Sequence, residues 1–114
     1  MRRLALLLSL AALLAFPATV GAAKTYTIKV GDDYFSPTKK TIRVNDIVKW
    51  VWVGEDGRAG QTVNEHTIVE SKERFKSKTM TEGVYRKRFK KAGKFTIYCG
   101  EHANTMKLVV TVKR

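Results

Sequence analysis

The sequence has little or none of several features that mark whole classes of protein. It holds one cysteine among 114 residues, which excludes an internal disulfide and a small domain held together by disulfides. It lacks a glycine-rich phosphate-binding loop of the Walker or Rossmann form. It also lacks an apolar stripe of useful length at helical spacing, so the pattern does not favour a helical fold. The one cysteine, Cys99, is left to be explained by other chemistry.

The length and composition favour one small globular domain. The chain is 44% hydrophobic and 28% charged, which is too rich in core-forming residues for a disordered or collagen-like protein. Lys and Arg number 22 against 10 Asp and Glu, giving a net charge of +12. A chain of this length is at most a single domain.

The N-terminus has the pattern of a secretory signal peptide. Arg2 and Arg3 precede an apolar run over residues 4–16, and small residues follow up to Ala23. The run is shorter than the roughly 20 residues that a membrane-spanning helix needs. The sequence therefore predicts that residues 1–23 are cleaved and that residues 24–114 form the mature domain. We expect a periplasmic or secreted protein with no integral membrane span.

The excess of positive charge is spread over nearly every segment of the mature chain. A basic surface can bind nucleic acid, but export removes that partner, so we expect no nucleic-acid binding. The densest cluster covers residues 86–91. It is either a solvated strand and turn, or a docking patch for an acidic protein or for peripheral contact with an anionic envelope surface.

Short β-branched and aromatic runs alternate with turn residues, which predicts an all-β sandwich of about seven to eight strands. Three of the strands place alternate residues on one face. These residues are Tyr26, Ile28 and Val30; Val48, Trp50 and Trp52; and Phe95, Ile97 and Cys99. Cys99 therefore lies at the end of a predicted core face.

The connections between the strands carry further predictions. Asn45 and Asp46 are a candidate two-residue turn between strands at residues 41–44 and 47–53. A short strand over residues 65–69 carries His66, and another strand is expected around Phe75.

The loop that follows Cys99 carries the candidate chemistry. His102 lies three residues after the cysteine and Met106 seven residues after it, and His66 is the other histidine of the chain. Two imidazoles, a thiolate and a weak thioether are the donor set of a mononuclear blue copper site. Zinc is the poorer match, because a thioether is not one of its usual ligands. Taken separately, Cys99 and Met106 also fit the interpretation of ordinary buried core residues.

The mature chain resembles the plastocyanin and azurin type of cupredoxin over nearly all of residues 24–114. The resemblance rests on this loop and on five other segments, at residues 35–37, 41–46, 48–50, 64–68 and 93–99. It implies a Greek-key β-sandwich or barrel that binds one copper ion. By the same resemblance the ligands are His66, Cys99, His102 and Met106, with His102 nearer the solvent.

Three further residues are expected to surround the ligands. Thr67 stands where plastocyanins usually have an asparagine that steadies the cysteine loop, so that support is expected to be rearranged. Asn64 lies just before His66, and Glu101 places a negative charge between Cys99 and His102. A carboxylate close to the metal favours the more positive, oxidised ion.

The resemblance implies a monomeric, non-enzymatic carrier that passes single electrons between partner proteins by cycling between Cu(II) and Cu(I). The basic composition predicts acidic redox partners and docking that weakens with salt. Two alternatives stay open. One is copper delivery or storage with the same ligands, and the other is a metal-free basic β-sandwich that binds proteins or envelope polymers.

Overall fold

The computed structural model describes residues 21–61 and 63–114, so the predicted signal peptide lies almost entirely outside the described residues. The described chain forms eight β-strands. They are β1 (Thr25–Gly31), β2 (Tyr34–Ser36), β3 (Lys39–Arg43), β4 (Ile47–Trp52), β5 (Ile68–Glu70), β6 (Val84–Arg88), β7 (Gly93–Cys99) and β8 (Lys107–Lys113). Among these residues no helix is long and apolar enough to cross a bilayer.

The strands form two four-stranded sheets that face each other. The first sheet has the order β2-β1-β4-β6 and the second has the order β3-β8-β7-β5. Each sheet is mixed, because β1 pairs with β4 in parallel and β3 pairs with β8 in parallel. The predicted all-β sandwich of seven to eight strands is confirmed.

The core lies between the two sheets, where alternate residues of each strand meet. The three predicted faces all turn inward, except that Tyr26 at the sandwich margin is only partly buried. Phe89 packs edge-on against Phe75 and Phe95, with ring centroids 5.6 and 5.0 Å apart. Burying a large apolar side chain contributes about 1.5–3 kcal/mol, so this shared face holds the sheets together.

The predicted turn at Asn45 and Asp46 is present, with Asn45 at a φ of 77° and the Asp46 N–H donating to the carbonyl of Arg43 at 3.0 Å. It does not form a hairpin, because β3 and β4 belong to different sheets. The Asp46 carboxylate explains the path, because its two oxygens accept the backbone N–H groups of Lys24 and Arg43, both at 2.9 Å. These bonds tie the turn to the start of β1 and carry the chain across the sandwich.

The segment around His66 is less regular than predicted. The strand begins at Ile68, and His66 precedes it in an isolated bridge to Met80. No strand forms around Phe75 in the described chain, although Phe75 is buried and Lys76 bridges to Val69. In this segment Phe75 and Ser77 are buried, while the charged residues on either side of Phe75 are exposed.

The sandwich has two ends, which differ in the loops they gather. The Cys99 end is formed where β1, β4 and β7 finish and β6 and β8 begin; its loop residues are 32–33, 53–61, 63–67, 78–83 and 100–106. The Lys90 end lies opposite, at residues 22–24, 43–46, 88–93 and 113–114. Strand β7 joins the two ends, and its seven residues span about 20 Å.

Candidate metal centre

Cys99 is held at the end of β7 by the alternation of that strand. Phe95, Ile97 and Cys99 share the inward face, and Cys99 is fully buried. The Cys99 N–H donates to the carbonyl of Met106 at 3.1 Å, and Cys99 pairs with Ile68 of β5. The backbone of Cys99 is therefore fixed on one side by β5 and on the other by Met106, the residue before β8.

The two histidines reach Cys99 from different segments. His66 exchanges backbone hydrogen bonds with Met80, both 3.0 Å long, and its side chain is fully buried. The His102 N–H donates to the carbonyl of Cys99 at 3.2 Å in the turn after β7. The Nδ1 atoms of both rings lie 3.7 Å from the Cys99 sulfur.

These three groups form one donor cluster. The ligand atoms of His66, Cys99 and His102 all lie within 4.8 Å of one another. Metal–sulfur and metal–nitrogen bonds of about 2.3 and 2.0–2.1 Å in a trigonal arrangement separate sulfur from nitrogen by about 3.7–3.8 Å, using zinc bond lengths as the guide. The observed 3.7 Å separations therefore fit one ion bound to all three groups.

Met106 lies beside this cluster. It is fully buried in the core, its carbonyl accepts from Cys99, and its N–H donates to the carbonyl of His102 at 2.9 Å. Both backbone bonds fix the loop that carries the histidine. A ligand role for the Met106 thioether stays a prediction.

Two aspartates that the sequence pattern did not single out contact the histidines. Asp32 Oδ1 is hydrogen-bonded to His66 Nε2 at 3.0 Å, and Asp33 Oδ1 lies 3.1 Å from His102 Nε2. Both belong to the turn between β1 and β2. The hydrogen bond with His66 lowers the pKa of Asp32 below its ordinary value. No sequence signal connects this turn to histidines more than thirty residues away.

The three predicted neighbours of the ligands lie around the cluster. The Thr67 hydroxyl donates to Glu101 Oε1 at 2.8 Å, and its carbonyl accepts from the Gly100 N–H at 3.2 Å. This pairing provides the rearranged support of the cysteine loop. The Asn64 N–H donates to Asp32 Oδ1 at 2.9 Å, so Asn64 acts through its backbone.

Glu101 is placed against the thiol. The Cys99 sulfur lies 3.2 Å from Glu101 Oε2. Burial raises the pKa of Glu101, but hydrogen bonds from Thr67 and Cys99 outweigh it, so the net pKa lies below its ordinary value. Burial raises the pKa of the Cys99 thiol, so without metal the sulfur carries a proton at neutral pH. Metal binding must release that proton.

Solved structures with similar folds place this cluster in context. No protein-family model matches the chain, and no curated protein matches it in sequence. An oxidised mutant of amicyanin matches with a TM-score of 0.62 at 18% identity, over 84% of this chain and 87% of that one. A purple cupredoxin from Nitrosopumilus maritimus matches with a TM-score of 0.62 at 20% identity, over 76% of this chain and 98% of that one. The chain has the cupredoxin fold.

A copper-containing nitrite reductase from Thermus scotoductus carries the same cupredoxin fold in part of its length. It matches with a TM-score of 0.62 at 22% identity, over 79% of this chain but 22% of the reductase chain. At such identities the likeness establishes the fold alone. The predicted cupredoxin architecture is confirmed, and the donor cluster lies at one end of it.

Proposed function

We propose that this protein is an exported mononuclear copper protein that carries single electrons between redox partners. The observation that carries the proposal is the approach of two imidazole Nδ1 atoms to one thiol sulfur, each at 3.7 Å. Soft sulfur and imidazole donors suit both Cu(I) and Cu(II). Amicyanin, which has this fold, has been solved in an oxidised form and in a Cu(I) form.

Bound copper would supply the Cu(II)/Cu(I) couple, and the chain would supply a rigid site for it. Cys99 would provide the thiolate, His66 and His102 the imidazoles, and Met106 a thioether. The backbone bonds of Cys99, His66 and Met106 hold these groups in place before a metal arrives. A preformed site needs little rearrangement when an electron enters or leaves, and this favours fast transfer.

His102 is the proposed point of electron exchange. Its side chain is 32% exposed, whereas that of His66 is fully buried. An imidazole that both binds the metal and reaches solvent gives a partner protein the shortest path to the ion. The other side chains of the donor cluster are covered by the sandwich.

The charge around His102 refines the proposed partner. The loops of the Cys99 end contain seven acidic residues against two basic ones, which are Asp32, Asp33, Glu55, Asp56, Glu65, Glu82 and Glu101 against Arg58 and Lys78. We infer that an acidic partner, as the net charge predicts, would meet the Lys90 end. The redox partner that exchanges electrons at His102 would instead present a basic surface to the acidic Cys99 end.

The remaining parts of the proposal follow from the sequence. Residues 1–23 are the proposed signal peptide and residues 24–114 the mature domain, which places the protein in the periplasm or outside the cell. We propose a monomer without catalytic activity. A signal-peptide cleavage site determined by mass spectrometry of exported protein checks the first of these statements.

Copper delivery is the second candidate, and the exposure of His102 favours it. An exposed ligand on a short loop gives an acceptor or chelator access to the metal. Delivery predicts rapid transfer of Cu(I) to a competing chelator, whereas an electron carrier retains its metal through repeated cycles. The metal-free binding module predicts no copper uptake and a Cys99→Ser variant that keeps its binding activity.

A redox titration of the copper-loaded mature domain tests the proposal. After addition of one equivalent of Cu(II), we expect a reversible one-electron change, followed by electron paramagnetic resonance, with the copper retained. Cys99→Ser should lose this behaviour while its circular dichroism stays that of a β-sandwich. Uptake without reversible cycling contradicts the carrier, and loss of Cu(I) to a chelator within one cycle favours delivery.

A further inference from the structure

We propose that Asp32 and Asp33 act together as positioning residues that aim both histidines at Cys99 and retain the bound ion. Consecutive residues of one turn contact the outer nitrogens of two rings that come from separate segments. The identity of the ion rests on the proposed function, but the positioning acts on the imidazoles with or without metal. The two residues are called the carboxylate pair below.

The contacts of the carboxylate pair fall on one side of each ring. Asp32 Oδ1 is bonded to His66 Nε2 at 3.0 Å, and Asp33 Oδ1 lies 3.1 Å from His102 Nε2. In each ring the opposite nitrogen, Nδ1, faces the sulfur. Both imidazoles are therefore held between a carboxylate and the thiol.

This arrangement selects one tautomer. A neutral imidazole carries its proton on one nitrogen and a lone pair on the other. A carboxylate accepts hydrogen bonds, so it favours the proton on Nε2 and leaves the Nδ1 lone pair toward Cys99. Partners of this kind orient metal-binding histidines and make them stronger ligands. The hydrogen bond to Asp32 orients His66 in this way, and the Asp33 carboxylate lies close enough to His102 to favour the same tautomer, so the donors converge before an ion arrives.

The turn that carries the pair is short and fixed. Gly31 pairs with Tyr34 in the β1–β2 ladder, so Asp32 and Asp33 are the two residues between the strands. Asp33 has a φ of 68°, a left-handed conformation that Asp and Asn tolerate better than most residues. Asp32 is further restrained because the same oxygen accepts the N–H of Asn64 at 2.9 Å.

The two contacts differ in solvent exposure, and we therefore expect the two aspartates to have different roles. The His66–Asp32 pair joins a fully buried ring to a side chain that is 41% exposed. The His102–Asp33 pair joins a ring that is 32% exposed to a side chain that is 62% exposed. His102 is the ligand that solvent and chelators can reach. We expect Asp33 to control release of the ion and Asp32 to control the geometry of the buried ligand.

The test compares Asp32→Asn and Asp33→Asn with a control, Glu82→Gln. Asparagine keeps the shape of aspartate and tolerates the left-handed backbone, so the fold is preserved. Glu82→Gln removes one negative charge from the same end of the sandwich. The first readout is nitrogen NMR of the imidazoles in the metal-free protein. We expect the Nε2–H tautomer for both histidines in the wild type, and a mixture at His66 or His102 in the corresponding variant.

The second readout is the rate at which Cu(I) passes to an excess of a chelator. Loss of such a partner typically weakens metal binding about 10- to 100-fold. We expect Asp33→Asn to release Cu(I) at least about 10-fold faster than Glu82→Gln, with a smaller effect for Asp32→Asn. Two variants that match Glu82→Gln in both tautomer and release rate overturn the proposal. A wild type that shows the Nε2–H tautomers but binds no copper rejects the proposed function and supports the positioning role.

Discussion

The two ends of this sandwich have the same architecture but opposite chemistry. At the Cys99 end, acidic residues surround three soft donors, and two of the carboxylates contact the histidines. The Lys90 end contains one acidic residue, Asp46, and seven basic ones. The basic residues are Lys24, Arg43, Arg88, Lys90, Lys91, Lys113 and Arg114. Both oxygens of Asp46 bind backbone N–H groups. Carboxylates therefore contact the proposed metal ligands at the Cys99 end and hold the backbone at the Lys90 end.

Net charge therefore does not describe the surface that a partner meets. The chain is strongly basic as a whole, but one end is acidic, because seven of the ten Asp and Glu residues lie in loops that meet at the Cys99 end. The ends lie about 20 Å apart, which is twice the Debye length of about 10 Å at 0.1 M salt. Each end therefore has an electrostatic character of its own.

The first prediction compares the loss of stability on replacing Asp46, which holds the chain path, with that on replacing Asp56, which is exposed. Asp46→Ala leaves two backbone N–H groups without their acceptor, so we expect unfolding to become easier by about 3 kcal/mol. Asp56→Ala, in an exposed loop at the Cys99 end, should change the unfolding free energy by less than about 0.5 kcal/mol. Urea unfolding measures both, and the absorption of the copper-loaded protein should be unchanged in each. Equal stabilities contradict the assigned role of Asp46.

The second prediction concerns a carboxylate between the two ends. The side-chain hydrogen bond from Arg74 lowers the pKa of buried Glu70 to about 2, from an ordinary value near 4.5. A lowered pKa stabilises the fold above pH 4.5, and this contribution is lost as the pH falls through 2. After allowance for the partly exposed Arg74, we expect about 2 kcal/mol.

Urea unfolding of the metal-free protein between pH 5 and pH 2 checks this value. The control is Glu70→Gln, whose stability should vary less over the same range. A wild type and a variant with parallel pH profiles contradict the prediction.

The third prediction tests the electrostatic independence of the ends. We expect a cationic cobalt complex to oxidise the reduced protein about 10-fold faster than anionic hexacyanoferrate, after correction for driving force. The rate with the cation should fall with salt, because the acidic Cys99 end attracts it. Stopped-flow kinetics at several ionic strengths measure both rates.

Charge reversal identifies which end governs these rates. Glu55→Lys with Glu82→Lys should narrow the difference between the reagents. Lys90→Glu with Lys91→Glu should leave it within about two-fold, because those side chains lie beyond the screening distance. A larger response at the Lys90 end rejects electron exchange through His102.

The smallest expected effect concerns the support of the cysteine loop. Thr67→Val removes the hydroxyl that donates to Glu101, which we expect to cost about 1 kcal/mol of unfolding free energy. It should also shift the absorption of the copper-loaded protein, because Glu101 contacts the Cys99 sulfur. Thr27→Val, at an exposed position of β1, is the control and should change neither quantity. If the spectrum of Thr67→Val is unshifted, the contact between Thr67 and Glu101 does not influence the copper site.

Local patterns predicted much of this molecule. Alternation within one strand is enough to place Phe95, Ile97 and Cys99 on a buried face, and the donor spacing is enough to nominate His102. The contact of Asp32 with His66 could not be predicted, because it depends on two loops meeting at one end. The path of the chain after the Asn45 turn could not be predicted for the same reason: the turn itself was predicted, but only the pairing of β4 with β1 shows that it leads into the other sheet.

The visible absorption spectrum after addition of one equivalent of Cu(II) decides whether His66, Cys99 and His102 form a copper site. The measurement uses the mature wild-type domain and Cys99→Ser, with zinc-loaded protein as the spectroscopic blank. We predict an intense thiolate-to-copper charge-transfer band that is absent from Cys99→Ser and disappears reversibly on one-electron reduction. A colourless wild type whose thiol reactivity is unchanged by copper contradicts the claim that His66, Cys99 and His102 form a copper site.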